Sequence, residues 1–574
     1  MRAQSGLVLL PVLVLGGKCS ANTSAIALLD RTIQAVGGLE SLEDVKQITL
    51  QSSLFRSQAL SQSYNLASAD QLVGTTAKQT ISFEFGENGL KQRIDRDLTY
   101  DNYWRYAHPT LKNDFTLVVQ TGPNATACFN KGAAADHPAV PWGYADSYLT
   151  DYLVHSAEQS AILDVLKRFY ASKSELRYSV THNKASGVGY PTLSHSQLNM
   201  QLLVNNGTWL PYAVRSTENH GVYGQSTNDV VFSNYANVSF GTSRTINYPT
   251  LIQTIYNDIY VIEDITVENI TVNAQFPTDF FRAVPQDAPD GIPGDPYHPH
   301  APHTDDEYPR SEVHEFYESG IWYGPFGKAL NASSVVVKPV FPGGNVPQIQ
   351  NLCVGGPGYT QLLIEFDDGL VITDAPAHRS KLILQWVKEN MHGKKITHVV
   401  PSHHHRDHTG GIGDYLAAGA KLVIPEIARG YYEKVNNGSF GVEVYSQDEP
   451  FIKKDKNVQF MSFWRDENPH ARDWVYSVAG PACGQFNKSE VVVFNADVIN
   501  PNFGPVPNWD TAEAMPFFID VVRQGIPREA TLVGTHGMTP LGLGSQDSLA
   551  HLADIAGFSY PNLSGTETWC RNQA

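Results

Sequence analysis

From residue 401 to 411 the chain reads Pro-Ser-His-His-His-Arg-Asp-His-Thr-Gly-Gly, so His403, His405, Asp407 and His408, four candidate metal ligands, fall within six residues. Core packing does not account for such crowding, because these residue types are seldom buried without partners. Imidazole and carboxylate are the ligands zinc takes in catalytic sites. The apolar run Ile-Thr-His-Val-Val over 396–400 reads as a strand, which places the cluster at the strand's mouth. His403 and His405 are two apart and project to the same side of an extended chain. Asp407 and His408 follow where the strand breaks into a turn, so one pair can face one metal and the next pair a second. His404 and Arg406 then point away. Gly410 and Gly411 let the backbone pass close to the site before a helix begins.

Three further candidates stand at strand ends downstream. His470 precedes the run Val-Tyr-Ser-Val at 475–478, Asp497 ends the run 491–497, and His536 ends the run 530–536. Each alone reads as a surface loop residue. Taken in order after the first cluster, they read as ligands.

The order H-x-H-x-D-H, then His, then Asp, then His-Gly, resembles the metallo-β-lactamase superfamily. The upstream segment is similar too: Gln-Leu-Leu-Ile-Glu-Phe at 361–366, the turn Asp-Asp-Gly, then Leu-Val-Ile-Thr at 370–373 and Asp374. Apolar runs flanking an Asp-Gly turn form a hairpin on their own reading. The resemblance covers roughly residues 313–574 and implies an αβ/βα sandwich. It implies that His403, His405 and His470 hold one metal, that Asp407, His408 and His536 hold a second, and that Asp497 bridges them. Two zinc ions per chain are the expected cofactor. A water between two such cations loses a proton near neutral pH, and the second cation can polarise the substrate. Asp407 could also relay a proton, which makes it the candidate catalytic residue. Asp374 resembles the acid that orients a ligand imidazole through its free N–H. Many members follow the His at position 470 with Thr-Pro-Gly, where this chain has Ala-Arg-Asp-Trp. His378 is a rival to His470, but it stands before a helix on the wrong side of the motif order.

Asp497 bears on the reaction. The resemblance implies that hydrolases of thioesters, lactones and phosphodiesters carry a bridging Asp there, where β-lactamases usually have Cys or Ser. Ester, lactone or thioester hydrolysis is therefore the leading expectation, with phosphodiesterase or β-lactamase chemistry as alternatives. A redox variant using iron expects Glu in place of one His, and no such replacement stands in the motif.

At 574 residues the chain predicts two domains. Hydrophobic content of 42% with 17% charged residues describes a globular chain. A formal charge of −17 argues against a nucleic-acid partner, and the resemblance implies a small-molecule substrate. No stretch is a comfortable membrane span, and the sequence leaves the oligomeric state open. Residues 1–21 read as a secretory signal peptide: Met1-Arg2, a short apolar core over 7–15, then small residues to Ala21. Lys18 beside Cys19 breaks a lipoprotein pattern. Cleavage there leaves Cys128, Cys353, Cys483 and Cys570, an even set suited to one or two disulfides in an oxidising compartment. Nine sequons, at Asn22, Asn124, Asn206, Asn237, Asn269, Asn331, Asn437, Asn487 and Asn562, fit a secreted, extracellular glycoprotein.

Residues 22–283 read as a β-rich accessory domain of α+β type. Helical spacing covers 24–42 and returns around 158–170, and short β-like runs with turn chemistry between them fill the rest. The run Asn-Gly-Thr-Trp-Leu-Pro at 206–211, the later Phe-Ser-Asn-Tyr at 232–235, and the helix before the first strand resemble the antiparallel half-barrels of outer-membrane lipoprotein carriers. That resemblance implies a concave face able to take a lipid, hence a rival reading of the whole chain as a non-catalytic carrier with a metal-stabilised second domain. A Pro-, Asp- and His-rich linker is expected over 284–312, with His298, His300 and His303 in it. The catalytic domain is expected over 313–574, with helices over 379–392 and 511–524 packed on strands 396–400 and 530–535.

Overall fold

In the computed structural model of the protein, residues 17–66, 74–100, 111–132, 143–145, 147–283, 310–318, 331–354, 360–377, 379–483, 487–501, 508–536 and 547–563 are described. Residues 1–16, with most of the expected signal peptide, and His298, His300, His303, His378 and Cys570 lie outside them.

Alternating polar and apolar runs in the first half pair into one antiparallel sheet, thirteen-stranded among the described residues. Its first strand, Gln47–Gln58, pairs with its last, Tyr260–Val272, in the middle of the sheet. Two meanders run outward from that seam, one through Gly74–Gly86, Gly89–Tyr100 and Leu111–Gln120, the other through Arg244–Tyr256, Gly224–Phe240 and Pro211–His220. In Gln47–Gln58 the inward residues change parity: Ile48 and Leu50 are buried, then Phe55 and Ser57. A register shift between Gln51 and Leu54 inserts the extra residue that flips the faces.

The helices Gly17–Val36, Ser147–Ser160 and Ile162–Ala171 pack on this sheet and share one apolar core with it. Val313 and Tyr317, from the helix Arg310–Glu318, belong to the same core. The helix expected in 24–42, with its end at Gly37-Gly38, is Gly17–Val36; the two glycines, both with positive φ, end it, and a second short helix, Leu39–Asp44, follows.

The second half is a sandwich. A seven-stranded sheet runs in the order Val335–Pro339, Ile349–Val354, Thr360–Phe366, Gly369–Thr373, Ile396–Val400, Lys421–Pro425, Val442–Tyr445. A six-stranded sheet runs Phe451–Lys454, Val458–Trp464, Val475–Pro481, Val492–Asn495, Thr531–Gly534, Asp547–Ser548. Ile364, Val371, Val400 and Val423 of the first sheet meet Phe460, Val475, Phe494 and Val533 of the second in one apolar layer. Helices cover the outer faces, Ser380–Asn390 and Ile412–Ala417 on one side and Thr511–Arg523 and Leu549–Ile555 on the other. This is the α/β/β/α layering that alternating strands and helices imply. The hairpin through the Asp367–Asp368 turn forms as expected.

Gly369–Thr373 is parallel to Ile396–Val400, and Val492–Asn495 is parallel to Thr531–Gly534. The carboxyl ends of these four strands therefore gather Asp374, the 403–408 cluster, Asp497 and His536 at one edge of the sandwich. Cys128 and Cys353 lie outside any disulfide and are buried in different sheets, so of the one or two bridges expected the second does not form. Both thiols are spent on packing inside strands; burial pushes Cys128 up to about 12. No helix among the described residues is long and apolar enough to cross a membrane.

Candidate metal centre

Strand Ile396–Val400 ends in a short loop, and a single helical turn, Arg406–Thr409, carries Asp407 and His408. Gly410 and Gly411 lead to the next helix. A side chain at Gly410 would lie 2.6 Å from Ala377 Cβ and from Glu312 Oε1, and one at Gly411 would lie 2.6 Å from Ser380 Oγ. These glycines serve close backbone packing at ordinary negative φ. Asp374 and Asp497 both turn away from their strands at positive φ, 54° and 68°. Aspartate tolerates this left-handed conformation better than most residues, and such strain concentrates at functional sites.

All seven expected ligands converge. His403, His405, His470 and Asp497 form one group and Asp407, His408 and His536 a second, each with its ligand atoms within 4.8 Å of one another. Asp497 joins them: Oδ2 lies 3.3 Å from His403 Nε2, 3.1 Å from His470 Nε2 and 2.9 Å from His408 Nε2, while Oδ1 lies 2.7 Å from His536 Nε2. Asp407 Oδ2 lies 3.3 Å from both His408 Nε2 and His536 Nε2. His470 thus lies beside His403, His405 and Asp497 despite its atypical flanking sequence. The residues that depart from the family pattern have work of their own. Asp473 holds His404 at 2.7 Å, and Trp474 is fully buried with its indole N–H donated to Ala496 O.

The far side of each ring fixes the tautomer, which sets the nitrogen left for a metal. His408 Nδ1 faces Asp374 Oδ2 at 2.9 Å, and His470 Nδ1 faces Glu513 Oε1 at 3.3 Å, so both turn Nε2 inward. His405 Nε2 lies 3.0 Å from the carbonyl oxygen of Ser63. A carbonyl only accepts, so Nε2 carries the proton and Nδ1 carries the lone pair. Asp374 is saturated: it also accepts from the Ser402 N–H at 2.6 Å and the Thr535 hydroxyl at 2.9 Å.

Burial and charge divide the site. Burial holds His403 and His405 well below the ordinary histidine range, and neighbouring imidazoles add to the effect. Burial also disfavours charge on His470 and His536, but carboxylates outweigh it. Glu513 and Asp497 hold His470 at about 10, and Asp497 with Asp407 holds His536 at about 9. Asp407 and Asp497 stay well below the usual carboxylate range because His408 above all outweighs their burial. Five imidazoles and two carboxylates turned inward, with no lysine or arginine among them, are a nitrogen and oxygen donor set that could hold divalent cations.

Several partners were not legible as site residues: Ser402, Thr535, Glu513, and Gln62 and Ser63 from the far N-terminal region. Gln62 Nε2 donates to Asp407 Oδ1 at 2.8 Å. Ser402 and Thr535 flank ligands in the sequence, and that adjacency was a usable signal. Gln62 and Ser63 carry no local signal.

His404 points away from the centre, as expected, but into a buried hydrogen bond with Asp473. His404→Ala is expected to leave the metal content unchanged while destabilising the fold by about 3 kcal/mol, because Asp473 stays buried without its partner. Elemental analysis beside a denaturant titration checks this. Loss of a metal from the variant contradicts the ligand assignment.

Residues 355–468 match the model of the metallo-beta-lactamase superfamily. Solved structures similar to the chain are metallo-beta-lactamases. One from Pontibacter korlensis is 18% identical, covering 39% of this chain and 99% of its own, with a TM-score of 0.29. A subclass B3 enzyme of Bradyrhizobium japonicum is 16% identical over 37% of this chain and 88% of its own, with a TM-score of 0.25. A Thermotoga maritima protein is 19% identical over 36% and 97%, with a TM-score of 0.24. No curated protein matches the chain.

Proposed function

We propose that the chain is a metal-dependent hydrolase that holds two zinc-type ions and cleaves an ester, lactone or thioester. The observation that carries this reading is the convergence of seven nitrogen and oxygen ligands into two groups that meet on Asp497. The cations would supply a water made nucleophilic near neutral pH and polarisation of the substrate carbonyl. The chain's own part is to hold that geometry. Asp374 and Glu513 fix the imidazoles of His408 and His470 from behind. Asp407, with one oxygen toward the second group and the other toward Gln62, is placed to take and pass a proton. Asp497 favours the acyl substrates over β-lactams, on the family pattern set out above.

Secretion belongs to the same reading. Asn124, Asn206, Asn269, Asn331 and Asn562 are exposed, as glycan acceptors need to be. With Cys128 and Cys353 outside any disulfide, a single bridge would fall to Cys483 and Cys570.

Protein purified without chelator is expected to contain about two zinc-type ions per chain. Because His470 and His536 hold protons at neutral pH in the metal-free protein, metal must displace them, and affinity should climb with pH until about 9 to 10. A panel of chromogenic esters, lactones, thioesters, phosphodiesters and β-lactams then identifies the substrate class. A folded, metal-free protein that turns over any of these sinks the proposal. Two bound metals with no turnover across the panel favours the carrier reading.

A further inference from the structure

The chain between the first two strands of the large sheet leaves Gln58 and runs into the metal centre of the sandwich. Leu60 anchors it in a small apolar cluster with Tyr256 and Ile262. Ser61 Oγ bonds both oxygens of Glu315, at 3.0 and 2.9 Å. The Gln62 amide reaches Asp407 Oδ1 at 2.8 Å and Glu315 Oε1 at 3.4 Å. The Ser63 carbonyl receives the His405 Nε2 proton at 3.0 Å. Tyr64 O accepts from the Arg472 N–H at 2.9 Å, two residues from His470. Ser61, Gln62 and Ser63 are all buried.

We propose that residues 59–66 complete the metal centre, with Gln62 and the Ser63 carbonyl as positioning groups for Asp407 and His405. The inference rests on the metal-site reading above. Its physical basis is the orientation of ligands from behind. An imidazole free to rotate presents either nitrogen, and the Ser63 carbonyl selects Nδ1 of His405. A carboxylate free to rotate presents either oxygen, and Gln62 takes Oδ1 so that Oδ2 faces His408 and His536. Each metal group thus owes one ligand's orientation to a segment more than 300 residues away in sequence. Water cannot readily replace these partners, because the segment itself fills the space. The large sheet is then a structural part of the centre, and metal binding and docking of residues 59–66 are thermodynamically linked.

The test uses the full chain. Zinc affinity of the wild type is measured first by chelator competition; failure to bind overturns the hydrolase reading itself. Gln62→Leu, which keeps the volume and removes the donor, is expected to weaken zinc about tenfold or more and to shift the absorption spectrum of the cobalt(II)-loaded protein. Tyr190→Phe, in the large sheet but stacked on Tyr212 outside the segment, should leave both unchanged. A folded Gln62→Leu protein with wild-type zinc affinity and cobalt spectrum overturns the proposal. Hydrogen exchange in the wild type supplies a second reading that needs no variant. Amides over 59–66 should exchange several-fold more slowly with zinc than without, while those of strand Gly189–His195 do not respond. Exchange over 59–66 that ignores zinc also overturns it.

Discussion

Asp497→Ala is expected to abolish turnover and to strip at least one metal from the protein. No other side chain in the centre touches so many ligands: its two oxygens meet His403, His408, His470 and His536 within 3.3 Å. Without it the two groups have no shared residue, and on the proposed reading a water held by two cations would lose the arrangement that lowers its pKa. Loss of a group on which both halves of a site depend is worth on the order of a thousandfold in rate, about 4 kcal/mol at 1.36 kcal/mol per decade. The protons report the same change. Asp497 is a leading reason that His470 stands at about 10 and His536 at about 9. In the metal-free variant both should titrate lower, His536 most, since Asp497 is its main counter-charge. Imidazole proton signals followed by pH titration would show it. Full activity with two metals bound to Asp497→Ala would falsify the bridging role.

The first cluster was legible because its information is local. A strand of five residues, a two-residue alternation and a glycine pair set the directions of His403, His405, Asp407 and His408 with little help from the rest of the fold. Asp374 was legible for the same reason, as the acid that ends a hairpin strand. His470, Asp497 and His536 were readable only as an ordered series, since each alone looks like a loop residue. The structure adds what no window of sequence holds. Glu513 was read as part of a helix, and only the packing of Thr511–Arg523 brings it to 3.3 Å from His470. The large sheet showed as separate β-like runs, but the pairing of Gln47–Gln58 with Tyr260–Val272 joins segments some 200 residues apart, which no short-range pattern encodes. The same non-local closure hid Gln62, because the seam it creates carries residues 59–66 to the sandwich.

Arg406→Met is expected to cost about 3–5 kcal/mol of stability, and the deficit should grow with pH. Arg406 sits between the ligands His405 and Asp407 with its side chain turned the other way, fully buried. Its Nη2 donates to Glu312 Oε1 at 3.1 Å and to Gly410 O at 3.3 Å, and its Nη1 donates to Thr409 O at 3.1 Å. It ties the ligand turn to the helix Arg310–Glu318, which packs in the core of the large sheet. Removing one member of a buried pair leaves the other charge uncompensated, which costs far more than the pair contributes net. Lysine should not rescue, because one ammonium cannot replace both arms of the fork. Glu312 gives the pH dependence. Burial already raises its carboxyl above the ordinary value of 4.5, and Arg406 pulls it back down. In the variant the folded-state pKa rises further, so between about 4.5 and that raised value the folded state binds more protons than the unfolded state. Stability then falls as pH rises through that window. The loss relative to wild type is therefore smallest near pH 4 and largest where Glu312 must ionise. Arg406→Met combined with Glu312→Leu leaves no charge at that position and should regain a large part of the deficit. Denaturant titrations of the four proteins between pH 4 and 8 test this cycle. A loss under about 1 kcal/mol for Arg406→Met, or a loss flat with pH and untouched by Glu312→Leu, contradicts a load-carrying ion pair between the ligand turn and the large sheet.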